Sequence, residues 1–256
     1  MTDNSKRLAG RVALVTGGSR GLGAGIVQRL AADGADVAFT FHTGQAEAET
    51  VAAQVRDLGQ KPLTISADLA DPNAAAAVTE AAVAEFGRLD ILVNNAGVTY
   101  WGPLAEIALA DFDRLVAVNA RAPFLVMQAA AGHLADGGRV VNISSAVTST
   151  PLPGSGLYAA TKAFLEQGTR VAALEFAPRR ITVNAVAPGS SATGRLANLS
   201  RERRAELGAS FALGRIGEPA DTAAVVAFLA SDEAGFITGQ VIYNTGGQHR
   251  PAGRAS

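Results

Sequence analysis

"TGGSRGLG", residues 16–23, holds four glycines in eight positions, between an apolar run and a helix-like run. Glycine beside a helix is costly, because its unfolded chain has the most freedom to lose. The preceding "RVALVT" (11–16) reads as a buried strand, and the following "GAGIVQRLAADG" (23–34) reads as a helix ending at Gly34. A turn from strand to helix through glycines offers unusual dihedrals and close backbone approach. It also aims free N–H groups and the positive end of a helix dipole at whatever binds there, a demand that a pyrophosphate fits. Gly17, Gly21 and Gly23 are spaced G-x3-G-x-G, slightly longer than the G-x-G-x-x-G dinucleotide pattern. The competing reading is a tight turn without a ligand.

Outward from that turn the alternation continues. "DVAFTF" (36–41), "PLTISAD" (62–68), "LDILVNN" (89–95), "GRVVNISS" (138–145), "RITVNAVAP" (180–188) and "QVIYN" (240–244) read as strands. Helices are expected over 46–59, 72–86 behind Pro72, 109–134, 157–177 and 219–231. Strands that are continuous apolar runs are buried on both faces, which implies a parallel sheet covered by helices. Strict strand–helix alternation points to a doubly wound α/β fold. No linker or charge block divides residues 1–256, so a single domain is expected, with a weakly ordered tail over 249–256.

Composition removes several function classes. The 256 residues suit one α/β domain, and a net charge of −1 gives no global field to draw in nucleic acid or anionic lipid. Arg201-Glu202-Arg203-Arg204 reads as a solvated helix face. With no cysteine, disulfides and thiolate chemistry are excluded. His42, His133 and His249 share no helical face, so no metal site is expected. The start "MTDNSKRLAG" is polar and no apolar run reaches 18 residues, so neither signal peptide nor membrane span is expected, and the location expected is cytoplasmic. Ser145 lacks the G-x-S-x-G surroundings of a hydrolase nucleophile.

Tyr158 and Lys162 are four apart on a predicted helix and share one face. A nearby ammonium favours a phenolate, so the pairing is expected to lower the tyrosine's pKa and fit it to exchange a proton with an alcohol or alkoxide. Ser144 and Ser145 are adjacent at a strand end, so their side chains are expected on opposite faces.

The ordered series "TGGSRGLG", "NNAG" (94–97), "VAVNARAPF" around Asn119, "ISSA" (143–146), "YAATK" (158–162), "APGSSAT" (187–193) and "ITGQVIYNTGG" (237–247) resembles the short-chain dehydrogenase/reductase family over residues 10–247. Within it, the 3-oxoacyl-carrier-protein reductase-like enzymes are the subgroup most resembled. Thr245-Gly246-Gly247 departs from the usual Asp-Gly-Gly. The resemblance implies a Rossmann-like sheet and an oxidoreductase that moves hydride between a nicotinamide and a ketone or secondary alcohol. It also implies a catalytic set of Asn119, Ser145, Tyr158 and Lys162. Ser145 is selected because the family's serine stands 13 residues before the tyrosine. Asn119 would hold a water linking Lys162 to solvent, and Lys162 would hold the nicotinamide ribose. Cofactor contacts are implied for Gly17, Ser19, Arg20, Gly21, Leu22, Gly23, Asp68, Leu69, Asn95, Ala96, Gly97, Pro188, Gly189 and Thr193, beside Tyr158 and Lys162. A nucleotide-binding regulator that has lost catalysis is the alternative, and the intact catalytic set argues against it.

NAD-using enzymes of this kind usually end the second strand with an acidic residue that binds the ribose 2′-hydroxyl. Here that strand ends in Phe41, followed by His42 and Thr43. With Arg20 on the glycine loop, these residues are expected to accept the 2′-phosphate of NADP(H). Tyr100, Trp101 and Pro103, the loop 147–156 and a lid over 190–212 are expected to shape the pocket for a small carbonyl or alcohol substrate. Leu157, Ala160, Phe164, Val171, Ala172 and Phe176 exceed what one sheet face needs, and the resemblance makes a homotetramer the expected assembly.

Overall fold

Seven strands form one parallel sheet: β1 (Val12–Val15), β2 (Asp36–Phe41), β3 (Pro62–Ser66), β4 (Leu89–Asn94), β5 (Leu134–Ile143), β6 (Thr182–Pro188) and β7 (Val241–Asn244), in the order β3-β2-β1-β4-β5-β6-β7. The structure is a computed structural model that describes residues 6–247. The tail 249–256, expected to be weakly ordered, lies outside the described residues. The helices are α1 (Gly21–Ala32), α2 (Gln45–Asp57), α3 (Ala74–Phe86), α4 (Leu109–Val116), α5 (Ala122–Ala130), α6 (Gly156–Phe176), α7 (Arg201–Gly208) and α8 (Pro219–Ala230).

Successive residues of a strand face opposite sides of a sheet, and β1 shows the consequence. Ala13 and Val15 enter a core with Ile26 and Leu30 of α1, Val51 of α2 and Val226 of α8. Leu14 between them enters a second core with Ala82 of α3, Met127 of α5 and Leu165 of α6. β1 is therefore buried on both faces, which is why it reads as an uninterrupted apolar run. The chain runs outward from β1 to β3 and then returns to place β4 on the other side of β1. The carboxyl ends of β1 and β4 flank this reversal, where ligands of open α/β sheets bind.

Two expectations need correction. Residues 109–134 are not one helix: a π turn at Ala117–Arg121 separates α4 from α5, and Ala122 N–H donates to the Ala117 carbonyl five residues back. Pro123 has no N–H to offer the carbonyl four residues earlier, so the α register breaks there. In addition, β5 starts at Leu134 rather than 138. Its pairing with β4 jumps from Leu89↔Leu134 to Ile91↔Arg139, so residues 135–138 bulge from the ladder, helped by Gly137 at φ +76°.

The opposite edge of the sheet is fastened by charge. Asp90, fully buried, accepts from Val12 N–H at 2.9 Å and from Arg88 at 2.7 and 2.9 Å. Arg11 stands 3.5 Å away. Buried Arg139 donates to the Ser231 carbonyl at 3.1 Å and to Asp232 at 3.2 Å.

Candidate active site

The glycine loop is stapled to both neighbouring strands. Gly17 N–H donates to Thr40 Oγ1 at 2.9 Å and Gly18 N–H to the Thr40 carbonyl at 2.8 Å. On the other side, Asn95 Nδ2 donates to the Thr16 and Gly17 carbonyls, both at 2.9 Å. Asn95 and Ala96 N–H both donate to Thr16 Oγ1 at 3.0 Å. Gly17 takes φ +68°, and a Cβ there would meet Ala96 Cα at 3.0 Å. A Cβ at Gly23 would lie 2.0 Å from the Gly17 carbonyl oxygen. These two positions need glycine for the reasons read from the sequence. Gly21, at φ +57°, faces Thr193, whose methyl would be 3.5 Å from an added Cβ. Thr193, from the loop after β6, thus stands over the glycine loop. Ser19 is buried and Leu22 half-buried, while Pro188 ends β6 with Gly189 next to it.

Arg20 occupies the N-cap of α1 with extended backbone, and its exposed side chain makes no capping bond and no ion pair among the described residues. His42 and Thr43 follow β2 and are exposed. Asp36, at the start of β2, accepts from Lys61 N–H at the far edge of the sheet. The carboxylate that does approach is Asp68, 3.9 Å from His42 Nε2, a juxtaposition invisible in sequence. Leu69 beside it is buried.

The four residues expected to be catalytic converge beyond β4 and β5. Ser145 caps a 3₁₀ turn at Ala146–Thr148, and Tyr158 stands near the start of α6. One turn further along α6, buried Lys162 donates from Nζ to the Ile143 carbonyl at 2.8 Å. Asn119 lies inside the π turn, fully buried. Its Oδ1 accepts from Val98 N–H at 2.8 Å, and its Nδ2 donates to the Val98 carbonyl at 2.8 Å and to Thr161 Oγ1 at 3.2 Å. A Cβ at Gly97 would lie 3.3 Å from Asn119 Oδ1 and 3.4 Å from Lys162 Nζ, so both groups face the same bare backbone.

The electrostatics differ from expectation. Burial pushes the Tyr158 hydroxyl above its ordinary pKa, against the smaller opposing effect of the Ser145 hydroxyl. Lys162 does not lower it. Burial holds the lysine itself down at about 8, and its ammonium is turned to the Ile143 carbonyl. Ser144 donates to the buried Glu166 carboxyl on α6 at 2.7 Å. Sequence reasoning does not single out Glu166. Its signal is the spacing Tyr158, Lys162, Glu166, which continues one helical face.

The loop after β4 and the loop before α6, expected to shape the pocket, meet in the structure: Gly102 N–H donates to the Gly154 carbonyl at 3.0 Å. Trp101 is 52% exposed, and Leu104 and Leu152 on these segments are also exposed. The segment 190–212 carries α7, and its Ala192 and Phe211 cluster with Ile216 just beyond it. A groove of about 740 Å³ between α1, α2 and α8 contains none of the catalytic side chains.

A sequence model of the family described as Enoyl-(Acyl carrier protein) reductase matches residues 17–249. A hydroxynaphthalene reductase-like protein of Metarhizium brunneum is 37% identical, over 96% of this chain and 97% of its own. A short-chain dehydrogenase/reductase of Serratia marcescens is 45% identical, with a TM-score of 0.90 over 94% of this chain and 98% of its own. A short chain dehydrogenase of Burkholderia cenocepacia, solved in complex with NADP, is 43% identical, with a TM-score of 0.89 over 94% and 99%. Likeness that runs nearly end to end, on a sheet whose loops bring Ser145, Tyr158 and Lys162 together, has one meaning: the chain belongs to the short-chain dehydrogenase/reductase family of oxidoreductases.

Proposed function

We propose that the protein is an NADP(H)-dependent reductase of a ketone in which Tyr158 delivers the proton. The observation that carries this reading is buried Lys162, one helical turn after Tyr158, whose Nζ donates at 2.8 Å to the carbonyl of Ile143, two residues before Ser145. A phenol pushed up by burial is held protonated near neutrality, the state a proton donor to a nascent alkoxide requires. Ser145 holds the substrate oxygen beside that hydroxyl. Lys162, with a pKa of about 8, exchanges protons readily and restores the one Tyr158 gives up. The amide nitrogen of Asn119 is fully engaged, leaving one lone pair of Oδ1 toward Gly97 for a water that connects Lys162 to solvent.

The chain's residues fit the cofactor. The cradle at Gly17 and Gly23 has no space for side chains, and the first N–H groups of α1 lack intrahelical partners. The nicotinamide, when bound, supplies the hydride. Arg20, His42 and Thr43 are the donors for a 2′-phosphate, with Arg20 the cation free to bind it. The kinship with a hydroxynaphthalene reductase-like protein and the exposed Trp101, Leu104 and Leu152 favour an aromatic or otherwise apolar ketone. Against a panel of aryl ketones, diketones and β-ketoacyl thioesters, NADPH oxidation should be fastest with a fused-ring ketone. NADPH should be preferred over NADH by at least ~10-fold in kcat/KM, a difference of about 1.4 kcal/mol. Arg20→Ala should erode that preference through KM for NADPH. Equal use of the two cofactors by the wild-type enzyme would remove the assigned role of Arg20.

We also propose a homotetramer. Only part of the surplus read on α6 is available: Leu157 and Ala172 are buried and Phe176 packs in the core. Phe164, Val171 and Leu174 are exposed, and Phe164 pairs with exposed Phe124 of α5 at a ring separation of 6.4 Å. This apolar face suits a second copy across a two-fold axis. Light scattering at micromolar concentration should give four chain masses, and a single-chain mass would exclude the assembly.

A further inference from the structure

Tyr158, Lys162 and Glu166 project from successive turns of one face of α6, and the last two grip the end of β5. Lys162 Nζ holds the Ile143 carbonyl, and Tyr158 lies one turn earlier on the same face. Glu166 holds the residues on both sides of Ser145. Its Oε1 accepts from Ser144 Oγ at 2.7 Å and from Thr148 Oγ1 at 2.7 Å. Glu166 is only 6% exposed and has no ion-pair partner among the described residues. A buried carboxyl without a cation is expensive, and here two hydroxyls are its only partners among the described residues. Thr148 is central to a small network: its hydroxyl is also 2.9 Å from the Ser145 carbonyl and 3.3 Å from the Tyr243 hydroxyl on β7. By contrast, Ser145 Oγ has only a long contact of 3.5 Å from Val147 N–H within its own turn. Little within the turn itself fixes where that hydroxyl stands.

We infer that Glu166 is a positioning residue which, through Ser144 and Thr148, clamps the turn carrying Ser145 onto α6 and so sets Ser145 against Tyr158. The inference rests on the catalytic reading of Ser145. Displacement of a reacting group by about 1 Å costs up to ~10²-fold in rate. Glu166→Met, similar in volume but without an acceptor oxygen, should therefore lower kcat for ketone reduction by about tenfold to a hundredfold while KM for NADPH stays within about twofold. Glu166→Gln, which keeps an oxygen able to accept from both hydroxyls, should recover most of kcat.

The deciding experiment is a double-mutant cycle with Ser145→Ala. If Glu166 acts through Ser145, Glu166→Met in the Ser145→Ala background should cost less than about threefold, because the misplaced hydroxyl is already gone. Equal losses in both backgrounds, or a Glu166→Gln enzyme as impaired as Glu166→Met, would overturn the clamp. Should Glu166→Met fail to fold, Ser144→Ala and Thr148→Val each remove one arm, and the same cycle is read with them. If Ser145→Ala alone leaves kcat intact, the catalytic reading of Ser145 falls and the clamp with it. A cost for Ser145→Ala with additive cycles sinks the clamp alone.

Discussion

Tyr158→Phe should retain the fold and bind NADPH as the wild type does, yet lose about 10²–10⁴-fold in kcat for ketone reduction. Tyr158 is half-buried near the start of α6, and phenylalanine preserves its shape there. What disappears is one hydroxyl and the proton it holds. On the proposed reading Ser145 still binds the carbonyl oxygen, so substrate KM should move far less than kcat. Lys162 keeps its bond to the Ile143 carbonyl and is not released to substitute as donor. NADPH affinity by fluorescence titration separates loss of chemistry from loss of site. A Tyr158→Phe enzyme within about tenfold of wild-type kcat, with NADPH affinity intact, would mean that the proton comes from elsewhere.

At the other end of the strands, Asp90→Ala should lower stability by about 3 kcal/mol, the upper size for leaving a buried N–H without its acceptor. Asp90 is fully buried and serves the Val12 N–H and both Arg88 and Arg11. Alanine leaves a strand-start N–H of β1 without its acceptor and two arginines without their shared counter-charge. For a chain of this size the melting temperature should fall by about 6–12 °C. Measured at room temperature, kcat should stay at the wild-type level, since Asp90 lies at the amino end of β4 and the chemistry gathers beyond its carboxyl end. A shift under about 2 °C would show that water takes over the role of this carboxylate.

The contrast explains which parts of the protein are legible in sequence. β2 runs over Asp36–Phe41, as its apolar pattern predicts, because a strand buried on both sides reads as an uninterrupted apolar run. The glycine loop is readable because close approach and positive φ leave no other residue type. The break at Ala117–Arg121 escapes sequence reading although Pro123 is in plain view: proline near a helix start is tolerated, so it does not by itself mark a register slip. The direction of the Tyr158 shift escapes it too, because spacing places a lysine near a tyrosine but does not say where its ammonium turns. Lys162 turns to the Ile143 carbonyl, and burial then dominates. The Asp68–His42 approach and the grip of Glu166 join side chains far apart in the chain, and no local pattern encodes them.

The reversal of strand order between β1 and β4 divides labour along the chain. Residues assigned to the 2′-phosphate and adenine follow β1, β2 and β3, while those assigned to proton transfer come from β4 onward. The glycine loop is bound to the second group chiefly through Thr16, Asn95 and Ala96. Coenzyme choice and substrate choice are therefore separately heritable. Exchange in the loops at 41–43 and 68–69 can drift toward another coenzyme while 98–107 and 147–156 adapt to another ketone. As long as the hinge of side chains at Asn95 is kept, neither lineage of change has to wait for the other.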